Sequence, residues 1–162
     1  MTGDLSLFGL AVLLLVGCAT PVIRDAAHVV DIAPIDVQQA PGRYDGAGVI
    51  WAGRIVDFRN LKDVSEVEVV AYPIDRDQQP LTDAPSEGRF LLVLPGYVEA
   101  LDYEIGRHLT AHGTLAGTRE GEVQEQAYLY PIVSGISVHV WPWGFMIDRK
   151  PRIRIGIGVG IR

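Results

Sequence analysis

An all-β chain forming a small, closed or partly open barrel of about six strands is what this sequence predicts, and three observations carry the expectation. Short apolar segments with residue-by-residue alternation recur between turn residues. Helical periodicity is almost absent. Eighteen glycines and ten prolines punctuate the segments at short intervals, as compact β architectures require.

The chain opens on an apolar run, residues 5–16, that ends just before its only cysteine, Cys18. A membrane-spanning helix needs about 20 apolar residues, and this run is shorter and interrupted by Ser6 and Gly9. A core of roughly 7 to 15 apolar residues followed by small ones is the pattern of a cleaved signal peptide. Leu15-Val16-Gly17-Cys18 resembles the lipobox of bacterial lipoproteins: an apolar residue, a tolerant position and a small residue precede the cysteine to be lipidated. The expected leader is residues 1–17, although it holds Asp4 and no Lys or Arg. Cys18 then becomes the first mature residue, carrying a diacylglycerol and an N-acyl chain. Two or more chains hold a protein stably on a bilayer where one does not. In this class an Asp after the cysteine favours inner-membrane retention; Ala19 stands there, which points to the outer membrane.

Residues 18–43 read as the lipidated cysteine and a tether, because Pro21, Pro34 and Pro41 interrupt helix and favour extended chain. Residues 29–35 are apolar enough to dock as an edge strand. The barrel is expected over 44–142. Residues 49–56 form a strand with apolar residues on both faces. In 65–74, Val67, Val69 and Ala71 share one face and Glu66 and Glu68 the other. Residues 80–87 are a loop, 89–94 a third strand, and 97–106 an irregular stretch or one short turn of helix. In 107–116, Leu109, Ala111 and Leu115 face inward and His108, Thr110, His112 and Thr114 face solvent, with Gly113 placed for a bend or bulge. Residues 119–122 are expected to turn the chain into a strand over 123–132. A sixth strand, 136–140, carries Ile136, Val138 and Val140 on one face. The tail, 143–162, alternates β-branched residues with Arg or Gly from Arg152 onward, a strand pattern that would dock on the barrel or on a second molecule.

These residues carry a resemblance. Tyr44-Asp45-Gly46 before Val49-Ile50-Trp51-Ala52-Gly53-Arg54-Ile55-Val56, then Glu68-Val69-Val70-Ala71-Tyr72-Pro73-Ile74-Asp75, are similar to the opening half of the Slp family of outer-membrane lipoproteins. Gly88-Arg89-Phe90, residues 103–117, Tyr128-Leu129-Tyr130-Pro131 and His139-Val140-Trp141 continue the likeness in order. The resemblance implies an OB-like barrel, an outer-membrane lipid anchor and a link to starvation or stationary-phase physiology. It supplies no catalytic residues. The tail after Trp141 departs from the family pattern.

The remaining chemistry is sparse. His108 and His112 have the four-residue spacing of helical zinc ligands, but on a strand that spacing spans about 13 Å, too far for one ion. His139 reads as the exposed partner of two valines. Ser134 and Ser137 lack the strand-to-helix elbow of a serine nucleophile. Glu120, Glu122 and Glu125 lack the Asp/Asn/Gly spacing of a calcium loop, and Gly156, Gly158 and Gly160 do not form a phosphate-binding loop. No catalytic residue, metal site or cofactor is therefore expected. Trp141, Trp143 and Phe145 flank Pro142 as a possible binding platform for lipid or carbohydrate, or as a cap on the barrel end. With Cys18 acylated, no thiol is left for disulfides or thiolate metal sites. A net charge of −6 disfavours nucleic acid, whose affinity comes from basic residues neutralising phosphates. The expected protein is a non-enzymatic, outer-membrane-anchored lipoprotein facing the periplasm, with an adaptor or binding role in envelope integrity or stress response. Its expected partners are outer-membrane lipid and, beyond that, envelope proteins or peptidoglycan. An envelope hydrolase or a cell-wall ligand-binding module is the alternative.

Overall fold

The computed structural model describes residues 20–145. Cys18, the lipobox residues Leu15, Val16 and Gly17, and the alternating tail lie outside the described residues. Within them, β1 (Gly48–Asn60), β2 (Val64–Tyr72), β3 (Arg89–Pro95), β4 (His108–Val123) and β5 (Gln126–Val140) form a closed barrel in the order β1-β2-β3-β5-β4. The pairs are antiparallel except β3 with β5, which run parallel through Leu91–Ile132, Leu92–Val133 and Val93–Ser134. A five-stranded barrel of this order, closed by β1 against β4, is the OB architecture.

Alternation explains the core. Val67, Val69 and Ala71 of β2, Phe90 and Leu92 of β3, and Leu109, Ala111 and Leu115 of β4 are buried together, as their period-two spacing demands. In β1 the inward set changes phase. Val49, Trp51 and Ile55 point inward, a register shift falls between Ile55 and Asp57, and Phe58 then packs on the core. Trp51 meets Phe90 edge-on at 5.2 Å and donates its indole N–H to the Ile32 carbonyl at 2.7 Å.

Five strands stand where six were expected. Residues 123–132 and 136–140 are one continuous strand, β5, because the glycine between them opens a bulge and does not end the pairing. Gly113 pairs with Gly135 and His112 with Ser137, so Ile136 is the extra residue. It is 67% exposed and does not share a face with Val138 and Val140. The turn also differs. Arg119, Glu120, Gly121 and Glu122 are paired β4 residues, and the chain reverses at Gln124 and Glu125, with φ of 49° and 66°. A two-residue hairpin needs both central residues left-handed, and here two non-glycine residues supply that geometry.

The described part of the expected tether is folded onto the barrel. Ile23 and Val37 are buried, Val29 bridges to Gly48, and residues 34–39 are helical (α1, Pro34–Gln39). Pro34 begins this helix at a position whose N–H would lack a partner anyway. The Asp36 carboxylate accepts the Ala33 N–H at 2.9 Å. The outward face of β4 is not solvated as expected: Thr110 is fully buried and His112 is 7% exposed, because other segments lie over it.

The expected bend at Gly113 coincides with the register shift beside it. A Cβ there would stand 2.3 Å from the Ser134 carbonyl oxygen, so a side chain forces the two backbones apart. Gly113→Ala is expected to lower unfolding free energy by about 2–3 kcal/mol, read from urea denaturation. An unchanged midpoint would show that the strand pair yields freely.

Candidate functional site

A polar concavity lies on the outer surface of β1, β2 and β3, where the β4–β5 hairpin folds alongside. It encloses about 470 Å³ and is lined by Asp57 and Arg59 of β1, Glu66 and Glu68 of β2, Leu91 of β3, and Arg119, Glu120, Glu122 and Tyr130 of the hairpin. Gly117, at φ 91°, sits in the β4 bulge between Leu115 and Thr118, which bends the hairpin and brings Arg119 to β2. The guanidinium grips both oxygens of Glu66, at 2.7 and 2.9 Å, and Arg59 adds a third contact at 3.3 Å. Such a two-pronged pair fixes geometry as well as charge. The Arg119 hydrogen bonds hold the Glu66 carboxyl below its usual range although burial opposes them.

Beside it, Glu68 receives Arg89 at 2.6 Å, and the Tyr130 hydroxyl lies 3.2 Å from the same carboxylate and 3.3 Å from the Glu122 carbonyl. Burial, reinforced by Glu68, pushes the Tyr130 hydroxyl up to about 12, so it remains a proton donor. Five carboxylates and two guanidiniums face this groove. It is therefore a net acidic surface in which arginines hold Glu66 and Glu68 in place.

The aromatic residues after β5 separate. Trp141 is 7% exposed, stacks on Phe145 at 5.2 Å and donates its indole N–H to the Thr110 hydroxyl at 3.0 Å. It caps the flank of β4. Trp143 is 62% exposed, with its indole N–H on Glu104 at 3.1 Å. The three residues thus do not share one flat platform. His108 packs against Phe145 and His139 against Trp141, and burial lowers the pKa of both imidazoles. His139 is half-buried, not the exposed partner of two valines, because Trp141 folds back over it. Ser134 and Ser137 are exposed on β5. Among the described residues, no group of three or more His, Cys, Asp or Glu is placed to hold a metal.

The model of the outer membrane lipoprotein Slp family matches residues 15–154. The chain belongs to that family. The match begins at Leu15, the first residue of the expected lipobox, and runs into the tail, beyond the residues that carried the sequence resemblance. An uncharacterized protein of Haemophilus influenzae is 31% identical over 90 residues, covering 55% of this chain and 49% of the relative. The lipoprotein YeaY of Escherichia coli K12 is 25% identical over 139 residues, 83% of this chain and 70% of that one. Outer membrane protein Slp of the same strain is 25% identical over 107 residues, 66% and 56%. The chain thus spans about half the length of the first of these relatives. A single-stranded DNA-binding protein of Streptomyces coelicolor aligns over 58% of this chain and 93% of its own with a TM-score of 0.35 and 12% identity, too loose a likeness to speak of ligands. This Slp-family chain is accordingly an outer-membrane lipoprotein with an all-β barrel body.

Apart from Arg119, Glu120 and Glu122, read as a charged turn, the groove was not legible beforehand. Glu66 and Arg119 are 53 residues apart, and an alternating glutamate on a strand ordinarily signals a solvated face. Since the Glu66 carboxyl is depressed on folding, its stabilising contribution is present above the ordinary glutamate value of 4.5 and is lost as pH falls through the lower folded value. Arg119→Ala is expected to destabilise the barrel by about 2 kcal/mol at pH 7. The gap from the parent should narrow below pH 4.5, as urea titrations at pH 7 and pH 3 would show. An equal gap at both would mean the arginine acts through packing alone.

Proposed function

We propose that this lipoprotein is a non-catalytic adaptor or binding module. It is held on the periplasmic face of the outer membrane through a diacylglycerol and an N-acyl chain on Cys18, and it contributes to envelope integrity or stress tolerance by engaging another envelope component.

The observation that carries this reading is the groove. Acid–base catalysis by carboxylates depends on one group held protonated beside another held ionised. In the groove, Glu66 is pinned in its charged form by two arginines and Glu68 is engaged by Arg89 and Tyr130. Burial raises the pKa of one carboxyl, Glu87, and it lies apart from these residues, next to α1. Carboxylates held in place by arginines suit recognition better than proton transfer. Their excess over arginine favours a partner presenting basic groups and disfavours phosphate-rich ones.

Two measurements test the reading. Metabolic labelling with an alkynyl fatty acid is expected to mark the wild-type protein and not Cys18→Ala, with the variant leaving the membrane fraction; an unlabelled wild type defeats the anchoring part. A photo-crosslinker at residue 120, inside the groove, is expected to give a discrete envelope adduct that Glu122→Lys abolishes. No adduct, or one indifferent to the charge reversal, would defeat recognition through this groove.

A further inference from the structure

We propose that the barrel lies directly against the lipid surface, on the side where Ile23 is clamped, with the exposed apolar groups Trp143 and Ile105 at the headgroup level. The inference rests on acylation of Cys18. It assigns the lipid bilayer itself as the occupant of a surface that the groove leaves on another part of the molecule.

The first argument is a length. Ile23 is 7% exposed, and its backbone is clamped both ways by the Gln78 side-chain amide: its N–H donates to Oε1 at 2.8 Å and its carbonyl accepts from Nε2 at 3.1 Å. The Gln78 carbonyl in turn receives the Thr110 hydroxyl at 2.6 Å, tying the clamp to β4. From Cys18 to this clamp the chain advances five residues, which span at most about 18 Å even fully extended. A domain of 100 residues has a radius of gyration of about 13 Å. An anchor that short cannot lift the barrel clear of the membrane, and it selects which side faces the lipid.

The second argument is what occupies that side. Thr110 also accepts the indole N–H of Trp141, so the aromatic cap adjoins the anchor clamp through one shared hydroxyl. Two residues on, Trp143 turns outward, 62% exposed, its ring edge beside Gly106. Ile105 and Leu101, on the connection between β3 and β4, are 64% and 70% exposed. Ile136, thrown outward by the β5 bulge, borders a cavity of about 320 Å³ together with Val22, Ile23 and His112. Large apolar side chains exposed together mark contact surfaces, and tryptophan, an apolar body with one N–H, suits the boundary between acyl chains and headgroups.

Charge refines the partner. Glu99, Asp102 and Glu104 are exposed on the same connection, so attraction to an anionic surface does not drive this contact. A zwitterionic phospholipid surface meets the apolar groups without opposing the carboxylates.

Cys18 is the only cysteine, which allows residues 18–162 to be coupled there to a maleimide phospholipid in phosphatidylcholine vesicles carrying brominated acyl chains. Trp51 and Trp141 are buried, leaving Trp143 as the accessible indole. Coupling is expected to cut iodide quenching of Trp143 several-fold and to introduce quenching by bromines near the headgroups, both missing from Trp143→Phe. Iodide access unchanged by coupling would overturn the proposal. Protection from iodide that grows with protein density on the vesicle, without bromine quenching, would assign the face to a second copy and overturn it equally. Because the lipid is attached chemically, a negative result here leaves native acylation to be judged by the fatty-acid labelling.

Discussion

Barrel closure with only five strands is the constraint from which the rest of this structure follows. A sheet this narrow must coil tightly, and its backbones approach too closely for side chains at certain points. A Cβ on Gly53 would lie 2.0 Å from the Val70 carbonyl oxygen, and one on Gly135 would lie 2.7 Å from Leu94. Glycine at these places, with register shifts in β1 and β5, lets the sheet turn its corners. The same shifts decide which side chains face outward, and so where polar and apolar surfaces arise.

The acidic groove is one outcome. The β4 bulge between Leu115 and Thr118 redirects the hairpin after the barrel proper has closed, and Arg119 thereby reaches a glutamate on a strand that is not its neighbour in the sheet. A carboxylate that would otherwise be solvated becomes a nearly buried, doubly paired anion. Arginine suits this because its fork satisfies both oxygens at once. The groove is consequently rigid in charge as well as shape.

The covered face of β4 is the other outcome. Thr110 links Gln78 to Trp141, and Gln78 holds the first described residues against the sheet. One hydroxyl thus joins the segment before α1, the β2–β3 connection and the chain leaving β5. In the orientation proposed above, the segment leading from Cys18 and the aromatic residues after β5 turn to the lipid, and the groove is left for a partner.

By itself the sequence determined the class of fold and carried the expectation of export, since both rest on local patterns. The alternation in 65–71 and 109–115 reports burial through a period of two, and the apolar run ending at Leu15-Val16-Gly17-Cys18 reports itself through length and small residues. The family resemblance added the barrel type, and the match over residues 15–154 established the family. What only the tertiary structure decided involves groups far apart in the chain. Propensity placed the hairpin turn at 119–122 because Gly121 is there, whereas cross-strand pairing set it at Gln124 and Glu125. Prolines suggested an extended tether with a docked stretch at 29–35, yet Pro34 starts a helix and Ile23 is held by Gln78, whose carbonyl receives the Thr110 hydroxyl of β4. His112 and Thr110 alternate like exposed residues, and they are buried because loops from elsewhere cover them. Pairing between Glu66 and Arg119 leaves no local trace, for a strand's pattern encodes which face a residue occupies and says nothing of what will later be folded over it.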